Sequence, residues 1–303
     1  MGAMATAAAR PARPDSPGRR VLLALTLLGL IAAGVLFPPE RRAAAGGPPA
    51  SQLVPAVVAA YPPVGTLAVV VARQQIPVAG LSIRAAEART ARLTASAAGN
   101  ASADRPFPTA SMVKLFMAED VLHRARTGRL VLRADDPGLL RDMIRSSDDP
   151  AASTVWVRYG GGQMVTDVAR RYRLTGTAPP AAPGQWGSTT TTARDLARFL
   201  ALLPTAAHPD DGAALLGWMR EATELGADGF DQRFGLFGTG SPQVAVKQGW
   251  MCCVGGSRHL HSVGVVGKRV VVLLSEVPRA TSYDDARGAL TDAAAAIPPA
   301  PAP

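Results

Sequence analysis

One stretch of the chain stands apart from the rest: residues 21–37, VLLALTLLGLIAAGVLF, carry no charge and no strongly polar side chain. Arg10, Arg13, Arg19 and Arg20 precede it, and Pro38-Pro39 follow it. Proline lacks a backbone N–H, so a helix through the run should stop there. A basic segment followed by an apolar one is the order of a secretory signal, and Ala43–Ala45 offers a small-residue cleavage site. The run has 17 residues, between a signal core and a comfortable span of about 20. Cleavage and retention as an anchor therefore both stay open. Either outcome puts the remainder outside the cytoplasmic membrane, because arginine favours the inside. No Cys follows the run, so the usual lipid-attachment site is missing. Residues 1–45 are expected to be this export segment, 46–54 a linker, 55–297 the folded domain and 298–303 a disordered, polyproline-like tail.

Beyond the linker the pattern changes three times. Residues 51–61 have helical spacing. Residues 65–72 and 78–85 read as strands rich in Thr, Val and Ile, and 91–97 as another. From about 110 to 237 helical periodicity takes over. Met112, Leu115, Phe116, Ala118, Val121 and Leu122 make one apolar face, and further helices are expected near 137–145, 149–158, 161–172, 191–203 and 211–223. Thr189–Thr192 supply helix-capping candidates for 191–203. Strand patterns return at 243–250, 258–266 and 268–276, with turns at Gly255-Gly256 and Gly267-Lys268, before an Ala-rich helix at 280–296. Strands at both ends and helices between them predict one antiparallel sheet built from the two chain ends, with a helical region inserted.

Composition narrows the function. Of 303 residues, 48% are hydrophobic and 18% charged, which suits a globular domain and excludes overall disorder. One long apolar run does not make a polytopic membrane protein, and no 20–50-residue repeat is visible. The net charge is +9. Six Arg against Asp15 and Glu40 in residues 1–45 give +4 of it, leaving about +5 dispersed elsewhere. No basic cluster is interleaved with aromatics, so a nucleic-acid partner is not expected. Only three lysines occur, Lys114, Lys247 and Lys268, beside 29 arginines, which makes the position of each lysine informative.

The first of them closes Ser111-Met112-Val113-Lys114. Residues three apart share a helix face. A hydroxyl is a weak nucleophile at neutral pH, and a neighbouring amine of lowered pKa can take its proton. A helix start also offers free N–H groups to a developing oxyanion. Ser147-Asp148-Asp149 comes second and Lys247-Gln248-Gly249 third. The motifs S-x-x-K, S-D-N and K-T-G form a known active-site set in that chain order; here the first is intact and the others each differ at one position. Ser111 as a mere helix cap, and Lys247 as an ordinary strand charge, are the simpler readings of each motif taken alone.

Together these motifs resemble the class A β-lactamase family and its penicillin-binding relatives, over roughly residues 55–296. The resemblance implies an α/β (α+β) fold, a five-stranded antiparallel sheet flanked by helices with an all-helical region beside it. It implies Ser111 as the nucleophile of an acyl-enzyme, Lys114 as its base, Ser147 as a proton shuttle and Lys247 as an electrostatic anchor for the substrate carboxylate. The backbone N–H groups of Ser111 and Trp250 would form the oxyanion hole, with Asp149, Gln248, Gly249 and Trp250 contacting substrate. The substrate would be a β-lactam or a D-Ala-D-Ala-like peptidoglycan stem peptide, acted on by a monomer needing no metal and no cofactor. Three departures bear on this. Asp149 replaces an Asn that touches the substrate amide, and its carboxylate should hold Lys114 protonated. Gln248 replaces Thr. The family's deacylating Glu is missing: between Asp149 and Asp195 the one acid is Asp167. An acyl-enzyme should therefore hydrolyse slowly. A binding or sensing module on the same fold without turnover, or an esterase or amidase of other substrates, are the alternatives.

Cys252-Cys253, the only cysteines, are expected on the rim of the site; a disulfide between them, free thiols, and metal binding or catalysis all stay open. His259 and His261 alternate on one strand and read as packing residues. His123 lies along the nucleophile helix away from the site. Trp186 and Trp250 read as core residues before pocket residues. Asp148 reads as a hydrogen-bond acceptor that holds the fold.

Overall fold

The computed structural model describes residues 47–76, 85, 88, 91–92, 96–241 and 244–299. The export segment, residues 78–84 of the strand expected at 78–85 and the end of the tail lie outside the described residues; Ala85 is helical. Helix α1, Ala50–Ala60, leads into strand β1, Thr66–Arg73. The two-residue strands β2 (Ala98–Gly99) and β3 (Phe107–Pro108) follow. A 3₁₀ turn at Ala110–Met112 opens helix α2, Val113–Arg126. The helical region continues with α3 (Asp136–Arg145), α4 (Asp149–Tyr159) and α5 (Gly162–Tyr172). After the short strand β4 (Thr190–Thr191) come α6 (Ala193–Ala206), α7 (Pro209–Arg220) and the one-turn α8 (Gly235–Gly238). Strands β5 (Ala245–Val254), β6 (Ser257–Val266) and β7 (Arg269–Pro278) precede the closing helix α9, Tyr283–Ala295.

The main sheet is antiparallel with five strands in the order β2-β1-β7-β6-β5. The two chain ends meet where Thr66–Arg73 pairs with Arg269–Glu276. The expectation of a sheet built from both ends holds. The strand expected at 91–97 does not: Ala91 and Arg92 are helical, as their Ala-rich setting favours, and the edge strand is Ala98–Gly99 instead.

Both faces of this sheet are buried, which explains runs such as AVVVA in β1 and VVVLL in β7. Alternate side chains point to opposite faces. Ala68, Val70, Val263, Val265, Val272 and Leu274 face the helical region with Leu115, Phe116 and Phe199. Leu67, Val69, Val71, Leu260, Val271 and Leu273 pack with Val54, Val57, Leu290 and Ala293 of α1 and α9. Helix starts are fixed as the sequence indicated. Asp148 accepts from Ala151 N at 2.7 Å and Thr192 from Asp195 N at 3.0 Å, each cap contributing about 1 kcal/mol.

Two long-range ties set the entry to α2. Phe107-Pro108 pairs with Thr190-Thr191. His261, fully buried on β6, places Nε2 2.8 Å from Pro108 O. A carbonyl only accepts, so Nε2 carries the proton. Burial pushes the imidazole down to about 3, and the ring stays neutral in the folded chain. A folded pKa below the unfolded value contributes stability above about pH 6.5, lost as pH falls toward the folded value. Chemical denaturation should therefore show stability falling from pH 7 to pH 4, and less steeply in His261→Gln, whose amide can still donate. Equal slopes would contradict a buried neutral His261.

Candidate active site

Ser111 stands at the middle of the 3₁₀ turn, between Ala110 and Met112, with α2 beginning at Val113. Ala110 has φ +45°, a left-handed conformation that costs a side-chain-bearing residue about 1–2 kcal/mol. It also explains a correction: Ser111 does not begin the α-helix itself but sits on a tighter turn ahead of it. The turn presents Ser111 Oγ 3.0 Å from Lys114 Nζ. The i, i+3 spacing thus places the two groups on one face.

Lys114 is completely buried. Its amine also lies 2.7 Å from Ser147 O, 3.2 Å from Ser147 Oγ and 2.5 Å from Asp149 Oδ1. Burial pushes the Lys114 amine below the ordinary lysine range, and this outweighs the opposing pull of the Asp149 carboxylate and, at longer range, Asp148 and Asp228. The expected Lys114–Asp149 contact is present, but the net direction is toward the neutral amine. A neutral amine has two N–H bonds to donate, to Asp149 and Ser147 O, and one lone pair free for the Ser111 hydroxyl.

Ser147 follows the end of α3 with φ +55°, a second left-handed residue without a glycine's freedom. Its Oγ bridges the two amines, since Lys247 Nζ lies 2.8 Å from it. Lys247 is buried, and its amine also donates to Gln248 O at 2.7 Å. Burial, with the nearby Lys114 amine, pushes it well below the ordinary value.

Four sequence-level site residues, Ser111, Lys114, Ser147 and Lys247, are thus in direct contact, and Asp149 joins them. Lys247 is not among the cleft-lining residues and reaches the cleft through Ser147 Oγ, an arrangement an electrostatic role allows. One expected substrate contact needs correction. Gln248, next along β5, points to the opposite face. Its Nε2 donates to Gln232 O at 3.0 Å and to Phe234 O, so it is withdrawn from the cleft. Gly249 acts through its lack of a side chain: a Cβ there would come 2.8 Å from Met112 Cε and 3.3 Å from Ser111 N. That close approach brings β5, an edge strand of the sheet, alongside the Ser111 backbone N–H.

The cleft itself holds about 290 Å³ and is walled by Ala110, Ser111, Asp149, the 184–188 loop, Trp250 and Met251. Both tryptophans, read as core residues from sequence, border it. Trp250 stacks on Phe230 at 4.5 Å and donates from Nε1 to Asp228 Oδ2 at 3.1 Å. The Trp186 ring centroid lies 4.8 Å from Lys114 Nζ. Sequence reasoning passed over Asp228, whose only signal is an Asp-Gly turn in GADGF, and Met251. A second cavity, of about 330 Å³ between β1 and α6, is walled by Val70, Ala72, Leu202 and neighbours and is remote from the serine–lysine pair.

The remaining candidates fall outside the cleft. Asp167 Oδ1 accepts from Gln163 Nε2 at 3.1 Å and from Arg170. Asp195 holds Gly176 N at 2.7 Å and Thr177 Oγ1 at 2.8 Å. Cys252 and Cys253 are disulfide-bonded to each other, exposed, and beyond the cleft-lining Met251. His123 borders a separate small cavity with Asp211. Among the described residues no group of three His, Cys, Asp or Glu side chains is arranged to hold a metal ion.

This geometry agrees with comparisons to known proteins. A family model described as "Beta-lactamase enzyme family" matches residues 138–298, a stretch that includes Ser147, Asp149 and Lys247–Trp250. "Putative lipoprotein LppW" of Mycobacterium bovis (strain ATCC BAA-935 / AF2122/97) and of Mycobacterium tuberculosis (strain ATCC 25618 / H37Rv) are each 40% identical over 190 residues. The match spans 61% of this chain and only 60% of those relatives' length. Among solved structures, the β-lactamase from Sphaerobacter thermophilus DSM 20745 superposes with a TM-score of 0.57 at 19% identity, over 82% of this chain and 99% of that one. An ancestral class A β-lactamase gives 0.55 at 19% identity, over 82% and 97%. These two likenesses establish the fold. With a family match over more than half its length, the chain belongs to the β-lactamase enzyme family, as a divergent member related to the class A enzymes.

Proposed function

We propose that the chain is an exported serine hydrolase that forms a Ser111 acyl-enzyme with β-lactams or D-Ala-D-Ala-like amides and hydrolyses it slowly. The observation that carries this reading is the contact of Ser111 Oγ with a buried amine at 3.0 Å, an amine whose burial favours the neutral, basic form. In acylation the Ser111 proton passes to Lys114 Nζ as the Oγ–carbonyl bond forms. Oxyanion charge develops beside the backbone N–H groups of Ser111 and Trp250. As the carbon–nitrogen bond breaks, the leaving nitrogen takes the Ser147 hydroxyl proton, which Lys114 replaces. Lys247 holds Ser147 Oγ in line for this relay.

Slow hydrolysis follows from the wall of the cleft. Asp149 is the one carboxylate lining it among the described residues, and its Oδ1 is bound to Lys114. No second carboxylate is free there to activate water. Export is supported by the basic and apolar start of the chain and by the lipoprotein naming of its mycobacterial relatives. One chain supplies every group named, so a monomer suffices, with the membrane reached only through the N-terminal segment. The Lys114–Asp149 contact also favours the alternative of an envelope module that binds without turnover, which the following experiment separates.

Residues 46–303 mixed with a fluorescent penicillin and followed by intact mass should give a one-to-one adduct that persists over many minutes. Ser111→Ala should give none, and Lys247→Met should slow its formation at least about a hundredfold, as removal of a proton-relay group does. No adduct in the parent chain would contradict the reading, and rapid loss with product release would contradict slow deacylation. The pH profile carries a second expectation. The carboxylate of Asp149 raises the Lys114 pKa, so Asp149→Asn should lower it further. Adduct formation, which needs neutral Lys114, should then persist to more acidic pH in Asp149→Asn than in the parent. A shift toward higher pH would contradict Lys114 as the base.

A further inference from the structure

The charge balance around Ser111 points to the kind of acyl group it accepts. Among the described residues the cleft is lined by one charged side chain, and it is acidic: Asp149, with 64% of its side chain exposed. Oδ1 bonds Lys114, and among the described residues no partner reaches Oδ2. The groups that would greet a substrate anion are withdrawn, Lys247 behind Ser147 and the Gln248 amide into the 232–234 carbonyls. No arginine is among the cleft-lining residues. At longer range Asp148 and Asp228 add negative charge near Lys114, and Asp228 near Lys247. The cleft is also walled by Trp186, whose ring centroid lies 4.8 Å from the same Lys114 amine that Asp149 holds, and by Trp250, which stacks on Phe230. A carboxylate beside an aromatic ring is a setting that attracts a cation, by a charge-assisted hydrogen bond and by the ring quadrupole.

We propose that Asp149 and Trp186 make the Ser111 cleft selective for acyl substrates that carry a primary ammonium next to the scissile carbonyl. This rests on Ser111 being the acylated residue only in naming which carbonyl the ammonium accompanies. An acid at this position accepts hydrogen bonds and cannot donate one. It therefore favours –NH₃⁺ over the acylated amide nitrogen of a neutral substrate, and it repels a substrate with an acidic group there. Asp149 is in this account a specificity-determining residue.

Binding to Ser111→Ala tests the selectivity without any need for turnover. D-alaninamide, which bears the ammonium, and N-acetyl-D-alaninamide, which does not, would each be titrated while the indole N–H signals are followed by NMR. The ammonium ligand should bind about tenfold tighter, the scale of one charge-assisted hydrogen bond at a partly exposed site. In Ser111→Ala/Asp149→Asn the preference should fall below about threefold, whereas Ser111→Ala/Asp149→Glu should retain most of it and Ser111→Ala/Trp186→Leu should weaken it. Equal binding of the two ligands, binding of neither, or a preference unchanged by Asp149→Asn would overturn the proposal. The penicillin-adduct experiment reports acyl transfer independently, so a failure there leaves the binding result to stand or fall by itself.

Discussion

Two lysine amines held out of water against one hydroxyl govern the rest of this structure. Lys114 and Lys247 both reach Ser147 Oγ, at 3.2 and 2.8 Å, with a single carboxylate, Asp149, in contact. Burying an ammonium without full compensation is costly, and the usual response is loss of its proton. Here burial moves Lys114 in that direction, and an amine in its neutral form could receive the Ser111 proton. The same pair constrains the backbone. Ser147 is held left-handed so that its carbonyl and its hydroxyl both face Lys114, and Ala110 is left-handed just before Ser111. Strain of this kind persists only where surrounding packing determines it.

That packing comes from the sheet. Because both faces are covered, the strands form a rigid slab, and its outer strand β5 carries Lys247, Gln248 and Gly249 in fixed alternation. Lys247 goes to one face and meets Ser147; Gln248 goes to the other and pins the 232–234 segment. Gly249 lets the strand approach Ser111 N. On the other side, His261 and the β3–β4 pair tie the entrance of α2 to the sheet and to the loop bearing Trp186. Ser111 is therefore positioned by contacts from elements far apart in sequence.

Much of this was legible in the chain. Strong periodicity located α1, α3–α6, α9 and the β5–β7 meander, because both the helical and the alternating patterns are enforced by burial. The rarity of lysine made Lys114 and Lys247 conspicuous, and the order of three motifs tied them to Ser111 and Ser147. What was not legible depended on which way side chains point. Gln248 sits in a motif but faces away from the cleft, a consequence of strand alternation against the 232–234 turn. Trp186 and Trp250 looked like core because large aromatics usually are, yet they line the cleft. Asp228 lies in an ordinary turn sequence and gains meaning only where that turn folds against Trp250. The balance at Lys114 between burial and the Asp149 carboxylate is a property of packing, and the motif alone showed only the carboxylate's share of it.

The chain's three lysines make the central claim open to a direct measurement. Protein labelled with ¹³C at lysine Cε gives three signals whose shifts follow protonation of each amine, assigned by Lys114→Met and Lys247→Met. The signals of Lys114 and Lys247 should titrate below the ordinary lysine value of about 10.4, with Lys247 displaced the further. Titration of both at the ordinary value would contradict a neutral amine beside Ser111 and remove the base from the account.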